Sequence, residues 1–292
     1  MELSIEFFPP KTPEGEVRLA QTRERFSAAL QPAFYSVTFG AGGSTQAGTL
    51  QTVRTIHETG EVVAPHLSCV GSSKALIADL LKQYQALGIK RIVALRGDLP
   101  SGMGQYGEFQ HANQLVEFIR QETGDWFHIE VAAYPETHPQ AESPSKDVQF
   151  FASKVKAGAD SAITQYFFNS DAYFRFVDDA YQLGVDVPIV AGIMPITSST
   201  QLLRFSDACG AEIPRWIRLR LQSYGDDLAS IKAFGEEVVT TLCEQLIVTG
   251  VPGLHFYSLN QSEPVLRITQ NLHWVKADPK SICFIWDKSL SL

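Results

Sequence analysis

The sequence predicts an α/β fold: an eight-stranded (β/α)8 barrel of the TIM type, with its site at the C-terminal ends of the strands. Three observations predict it. Eight short β-branched or aromatic runs alternate with stretches of helical periodicity. No linker rich in Pro, Gly or Ser interrupts them, so the alternation reads as one parallel-stranded domain. The chain has 292 residues, 45% of them apolar, which matches the length of such a barrel and supplies its core. A doubly wound open sheet shares the alternation, and periodicity alone does not separate the two; the count of eight and the length favour the closed form.

The first run, 3–8 (LSIEFF), is apolar except for Ser4 and Glu6 and stops at Pro9-Pro10. A helix over 14–29 leads to the run 34–40 (FYSVTFG) and a helix over 46–59. The third run, 62–70 (VVAPHLSCV), precedes a helix over 73–87 that ends at Leu87-Gly88. The fourth, 91–97 (RIVALRG), and fifth, 128–134 (HIEVAAY), are followed by helices over 110–123 and 146–157, the latter ending at Ala157-Gly158. The sixth, 161–168 (SAITQYFF), is followed by a helix over 171–183 ending at Leu183-Gly184. The seventh, 187–194 (VPIVAGIM), precedes helices over 198–209 and 226–248, and the eighth is 253–259 (GLHFYSL). A Gly just past the last helical turn takes the left-handed conformation that caps a helix. One domain is therefore expected over 1–292, with a short C-terminal tail from about 278 to 292 of unassigned role.

Charge and composition narrow the function. Twenty-four basic against 32 acidic residues give a net charge of −8, and no Lys/Arg-rich run offers a footprint for nucleic acid. Glu2 and Glu6 interrupt the start where a signal peptide needs a basic and then an apolar segment. No apolar run approaches the roughly 20 residues of a membrane helix. A soluble, cytoplasmic protein is expected. Cys69, Cys209, Cys243 and Cys283 form no C-x-x-C pair and read as reduced thiols.

Polar residues cluster at the ends of the β-runs, where a βα barrel keeps its chemistry. They are Glu6, Thr38, His66, Arg96-Gly97-Asp98, Tyr134 to His138, Gln165, Tyr257 and Asn260. Each has an ordinary structural reading: Glu6 paired with an Arg, His66 a satisfied core histidine, Arg96 and Asp98 an ion pair. Their convergence on one rim is what points to a large site. No H-x-H or H-E-x-x-H spacing accompanies Glu136 and His138, so no metal is expected. The GAGGST stretch at 40–45 imitates a dinucleotide turn, but Thr45 stands where the third Gly belongs and no acidic residue ends the next run. There is no P-loop, and no Lys within the β-runs for Schiff-base chemistry.

Eight stretches carry a resemblance: SIEFFPPKT, YSVTFGAGG, APHLSC, IVALRGDLP, VAAYPETHP, KVKAGADSAITQYFF, GIMPI and LHFYSLN, in order from residue 4 to residue 260. Together they resemble the methylenetetrahydrofolate reductases in their short, single-domain bacterial form. The resemblance implies a flavin-binding barrel holding FAD, which takes a hydride from NADH or NADPH and passes it to 5,10-methylenetetrahydrofolate, the two substrates taking turns at one flavin face. The product, 5-methyltetrahydrofolate, supplies methyl groups for methionine synthesis. A homo-oligomer is expected by the same analogy, with small-molecule substrates and neither nucleic acid nor membrane as partner.

By matching motifs, the resemblance puts the catalytic acid on Glu6 and a residue between flavin and folate on Asp98. A carboxyl beside Phe7 and Phe8 should have a raised pKa and be available as an acid. Flavin contacts carry over to Thr38, His66, Arg96, Gly97, Asp98, His111, Ala112, Ala132, Tyr134, His138, Asp147 and Lys154. Arg96 and Lys154 suit the pyrophosphate as cations. Substrate contacts carry over to Glu6, Asp98, Gln165, Gln201, Phe205, Tyr257 and Gln261. Two positions depart from the pattern. Gln261 replaces an Arg and cannot make a charge-assisted contact with a glutamate carboxylate. His111 replaces a Tyr on the adenosine side. A pterin-binding methyltransferase barrel and a non-catalytic ligand-binding barrel are the alternative readings; retained Glu6, Asp98 and Gln165 weigh against the second.

Overall fold

A computed structural model describes residues 1–39, 43–97 and 107–274, the side chains of residues 43–46 excepted. Asp98, Cys283 and the tail from about 278 to 292 lie outside the described residues, as do Gly40, Ala41 and Gly42 of the GAGGST stretch.

Eight parallel strands close into a barrel in sequence order: β1 (Glu2–Phe7), β2 (Phe34–Val37), β3 (Val63–Ser68), β4 (Arg91–Leu95), β5 (His128–Ala133), β6 (Ser161–Thr164), β7 (Ile189–Ile193) and β8 (Gly253–Tyr257). The seam is the β1–β8 ladder, in which Glu6 lies opposite Tyr257. The open sheet is thereby excluded.

The helices among the described residues are α1 (Pro13–Ala29), α2 (Gly43–Glu58), α3 (Lys74–Ala86), α4 (Ala112–Thr123), α5 (Pro144–Lys156), α6 (Ser170–Gln182), α7 (Ser199–Cys209), α8 (Arg215–Tyr224), α9 (Leu228–Val248) and α10 (Ser262–Asn271). Thr12, Ser73, Ser143, Asn169, Ser198 and Asp227 cap N-termini by accepting backbone N–H bonds, and Gly88, Gly158 and Gly184 follow helix ends at positive φ. Among these helices none is long and apolar enough to cross a membrane.

Two helices escape the sequence pattern. α8 is Arg-rich and buries only Ile217 and Leu221, so its apolar stripe is two residues long. α10 is short, carries Pro264 in its first turn and buries Ser262 and Thr269 alongside Val265 and Ile268, which blurs its periodicity. Several strands also stop earlier than their apolar runs. β6 ends at Thr164, and Tyr166, Phe167 and Phe168 are buried in the loop beyond it. Gln165 therefore stands just past the strand, not on it. Apolar residues at a barrel mouth pack beneath the loops, and a hydrophobicity pattern does not separate that burial from ladder pairing.

Strand alternation sorts the side chains between two layers. On β1, Leu3, Ile5 and Phe7 join the large core between strands and helices, while Ser4 and Glu6 point the other way. Inside the barrel a small apolar layer of Phe34, Ala64, Val93, Ile163 and Val190 is the plug. Below it, at the N-terminal end, Glu130 is buried against Arg91 (3.2 Å), Ser161 (2.5 Å) and His128 (3.5 Å). Above it opens the site.

Candidate active site

The space above the plug is a cavity of about 540 Å³ lined by Glu6, Thr38, His66, Ala132, Tyr134, His138, Gln165, Phe205 and Tyr257 among others. A second pocket of about 360 Å³ holds Arg96, Gly97, His111, Ala112, Asp147 and Lys154. Leu95, Ala132, Tyr134, His138 and Gln140 line both, so the two are one bent cleft. Residues scattered over more than 250 positions of sequence thus meet on one rim. Gln201 and Gln261 do not line this cleft; Gln201 lies at the start of α7, and Gln261 borders two other grooves.

Glu6 is held at the seam. Ser258 Oγ donates to the Glu6 carbonyl at 2.6 Å, and the Asn260 side chain bridges Phe8, accepting from its N–H at 2.8 Å and donating to its carbonyl at 2.9 Å. The loop after β8 is thereby tied to the end of β1. Glu6 is 7% exposed, and burial raises the pKa of its carboxyl from 4.5 to about 8. His66 Nε2 lies 3.5 Å from it, and burial lowers the His66 pKa to about 3. The contact therefore joins a protonated carboxyl to a neutral imidazole and is no ion pair. His66 Nε2 has no hydrogen-bond partner among the described residues.

His255, which the sequence reading passed over, sits beneath this pair. It bonds Ser4 Oγ at 2.7 Å, and its pKa too is lowered to about 3, by burial and then by His66. The signal was available: in GLHFYSL, period two puts His255 on the same face as Tyr257. Tyr257 Oη donates to the Thr164 carbonyl at 2.7 Å, and its ring lies over Gly192. A Cβ at Gly192 would overlap the Thr164 carbonyl oxygen and come 2.8 Å from Tyr257 Cε2. Tyr166 and Cys209 also line the cavity, with Tyr166 Oη bonded to Ser206 Oγ (3.0 Å) and Cys209 Sγ (3.4 Å). Cys209 escapes the sequence pattern because α7 reaches the cavity only through tertiary packing, and Tyr166, next to Gln165, reads there as part of an apolar run.

The far arm of the cleft is cationic. Lys154 Nζ donates to the Ala132 carbonyl, and burial lowers its pKa to about 8, with Asp147 opposing the shift. Arg96 donates to Gln140 Oε1, and Asp147 accepts from the His138 N–H at 2.8 Å, which fixes the loop after β5. His111 stacks on Phe150 at 5.7 Å, an aromatic pair at the end of this arm. Gly97 adopts φ +84°, and a Cβ there would overlap Ser68 Oγ, so only glycine leaves backbone accessible beside Arg96.

Comparisons with known proteins agree with one another. The family model described as methylenetetrahydrofolate reductase matches residues 1–273. The 5,10-methylenetetrahydrofolate reductase of Salmonella typhimurium is 38% identical over 273 residues, 93% of this chain and 90% of that protein. A probable methylenetetrahydrofolate reductase (NADH) of Oryza sativa subsp. japonica is 37% identical over 297 residues, 97% of this chain and 50% of that protein. The chain thus spans about half the length of the plant relatives it matches. Among solved structures, a Clostridium thermocellum protein described as binding two copies of 5-methyl-5,6,7,8-tetrahydrofolic acid superposes with a TM-score of 0.65. It is 18% identical, covers 92% of this chain and 93% of that one, and shows likeness of fold.

Proposed function

The chain belongs to the methylenetetrahydrofolate reductase family, and from that premise we propose that it reduces 5,10-methylenetetrahydrofolate to 5-methyltetrahydrofolate with FAD and a reduced nicotinamide. The NADH designation of the rice relative favours NADH as the donor. The observation that carries the reading is the buried, protonated carboxyl of Glu6 lining a cavity of about 540 Å³. Reduction of the bridging methylene requires that one of its two carbon–nitrogen bonds open first, and the departing ring nitrogen needs a proton.

The residues present fit FAD. The cleft is bent, with glycine backbone at Gly97, cations at Arg96 and Lys154, and an aromatic pair at His111 and Phe150 along its second arm. His66 Nε2 is a buried nitrogen without a partner among the described residues, facing the central cavity. Bound there, FAD supplies the hydride relay between nicotinamide and folate. Thr38, His66, Ala132, Tyr134 and His138 would hold its ring end; Arg96, Lys154 and the Gly97 backbone would hold its pyrophosphate; Ala112, His111 and Asp147 would border its adenosine.

Glu6 holds its proton at Oε at neutral pH and delivers it to the folate nitrogen. His66, being neutral, neither pulls that proton away nor adds charge. Gln165 offers both a donor and an acceptor to the pterin edge. Tyr257 and Phe205 form an apolar wall that excludes water. Asp98, assigned by its motif alone, would favour the cationic opened folate. The test is anaerobic. The purified protein should be yellow, bleach with NADH and recover its colour when methylenetetrahydrofolate is added. A protein that stays colourless after reconstitution with FAD would overturn the reading.

A further inference from the structure

Glu136 stands in the loop after β5 between Tyr134 and His138, which line both arms of the cleft, yet it lines neither arm itself. Among the described residues no Lys, Arg or His nitrogen lies within 4.0 Å of its carboxylate. Burial raises its pKa against the bond from the Glu212 N–H, and the Glu212 carboxylate adds to the rise. Charge is thus a burden at this position, and what the fold uses is the acceptor oxygen: Glu136 Oε2 accepts the Glu212 N–H at 2.8 Å. Glu212 lies just past the end of α7 at Cys209. Between them Gly210 adopts φ +76° and lies so close to Pro139 that a Cβ would come 2.7 Å from Pro139 Cγ. The two contacts clasp the loop after β5 to the end of α7. The loop has a second, separate tie: Asp147 of α5 accepts the His138 N–H at 2.8 Å, and His138 Nδ1 accepts the Gln140 N–H at 3.0 Å. Between the two ties Thr137, a β-branched residue, takes φ +76°, a backbone conformation that persists only where the surroundings impose it. α7 buries only Leu202 and Ser206 along its 11 residues, so packing alone holds it weakly. From the loop after β6, Tyr166 Oη also meets Ser206 Oγ and Cys209 Sγ of this helix. α7 supplies Phe205, Ala208 and Cys209 to the wall of the central cavity.

We propose that Glu136 is a positioning residue for the folate substrate: through the Glu212 N–H it anchors the end of α7 and so sets Phe205 against the bound ring, without touching flavin or folate itself. The inference rests on the proposed function, because it needs a folate beside that wall. Asp147 holds His138 independently, so releasing Glu136 frees the end of α7 and leaves the flavin side of the loop in place. The amide oxygen of a glutamine would accept the same N–H from the same reach. The bond is what the site requires, and the charge is dispensable.

Steady-state kinetics and FAD titration of the Glu136→Ala, Glu136→Gln and Gly210→Ala holoenzymes test this. Glu136→Ala should raise the KM for methylenetetrahydrofolate about tenfold, the equilibrium factor of one such hydrogen bond, while kcat and the Kd for FAD change by less than about twofold. Glu136→Gln should keep all three within about twofold of the unchanged chain. Gly210→Ala forces the same contact apart from the helix side and should raise the same KM. Combined with Glu136→Ala it should do no more than the larger single change, since both break one clasp. A folate KM unmoved by Glu136→Ala, or additive effects in the pair, would overturn the proposal. So would a Glu136→Gln variant as impaired as Glu136→Ala, which would assign the effect to charge. FAD affinity lost in step with the KM would make the clasp a general support of the loop and overturn it too. Absence of folate turnover by the unchanged, FAD-loaded chain would instead bring down the underlying reading, and this one with it.

Discussion

The carboxyl of Glu6 and Nε2 of His66 lie 3.5 Å apart, and burial leaves both uncharged at neutral pH. An acid and a base at that distance usually make an ion pair. Here desolvation acts on each in the direction that removes charge, and a proton stays on the carboxyl.

Glu6→Gln should keep FAD and its reduction by NADH while lowering the rate of reoxidation by methylenetetrahydrofolate by at least 10³-fold, in line with the upper range for one acid–base group. Stopped-flow measurement of the two half-reactions separates them. Full folate turnover in the variant would remove Glu6 as the acid. In the unchanged chain the folate half-reaction should hold its rate below pH 8 and fall about tenfold per unit above it, as the Glu6 proton is lost.

Stability should depend on pH through three buried groups with opposite signs. His66 and His255 have folded pKa values near 3 against an ordinary 6.5, so the stability they confer is present above pH 6.5 and is lost as pH falls towards 3. Glu6 is raised from 4.5 to about 8, so its contribution is full below pH 4.5 and is lost as pH rises to 8. Their sum peaks near pH 6.5. Urea unfolding at pH 5, 6.5 and 8 should show a loss of about 2 kcal/mol between pH 6.5 and 8 that Glu6→Gln abolishes. His66→Asn should flatten the acid side instead. A variant with the parent's alkaline slope would assign that loss to other groups.

Lys154→Gln should weaken FAD binding by 10- to 100-fold, the range expected when a charge-assisted bond to phosphate is lost. Flavin fluorescence titration reads it. Because the Lys154 pKa lies near 8, FAD affinity in the unchanged chain should also decline above that pH, and that decline should be missing from the variant. Equal affinities would place the pyrophosphate elsewhere in the cleft.

Gly192→Ala should destabilise by about 2–4 kcal/mol, because the new methyl overlaps the Thr164 carbonyl and has no void to enter. It should also displace Tyr257 and lose its bond to Thr164. Thermal unfolding and the folate half-reaction should change together. An unaltered melting temperature would show that β6 and β7 separate more easily than their packing implies.

Much of this molecule is legible in its chain, and β1 shows why. The alternation of Leu3, Ile5 and Phe7 with Ser4 and Glu6 assigns faces before any neighbour is known, and Pro9-Pro10 marks the exit. Motifs found Glu6, His66, Arg96 and Lys154, each of which lines the cleft. α8 and α10 were missed because a short helix with two to four buried residues has too little periodicity to read. Gln201 and Gln261 were placed by motif alone; neither lines the cleft, and Gln261 borders two other grooves.

By itself the sequence determined the order of the eight strands and the family, since period and motif are local properties. Tertiary structure alone decided that β1 meets β8, that Glu6 and His66 share one dry space, and that Glu136 reaches the N–H of Glu212. Closure joins residues some 250 positions apart, and the pKa of a group depends on which atoms surround it in space, not on which precede it in the chain.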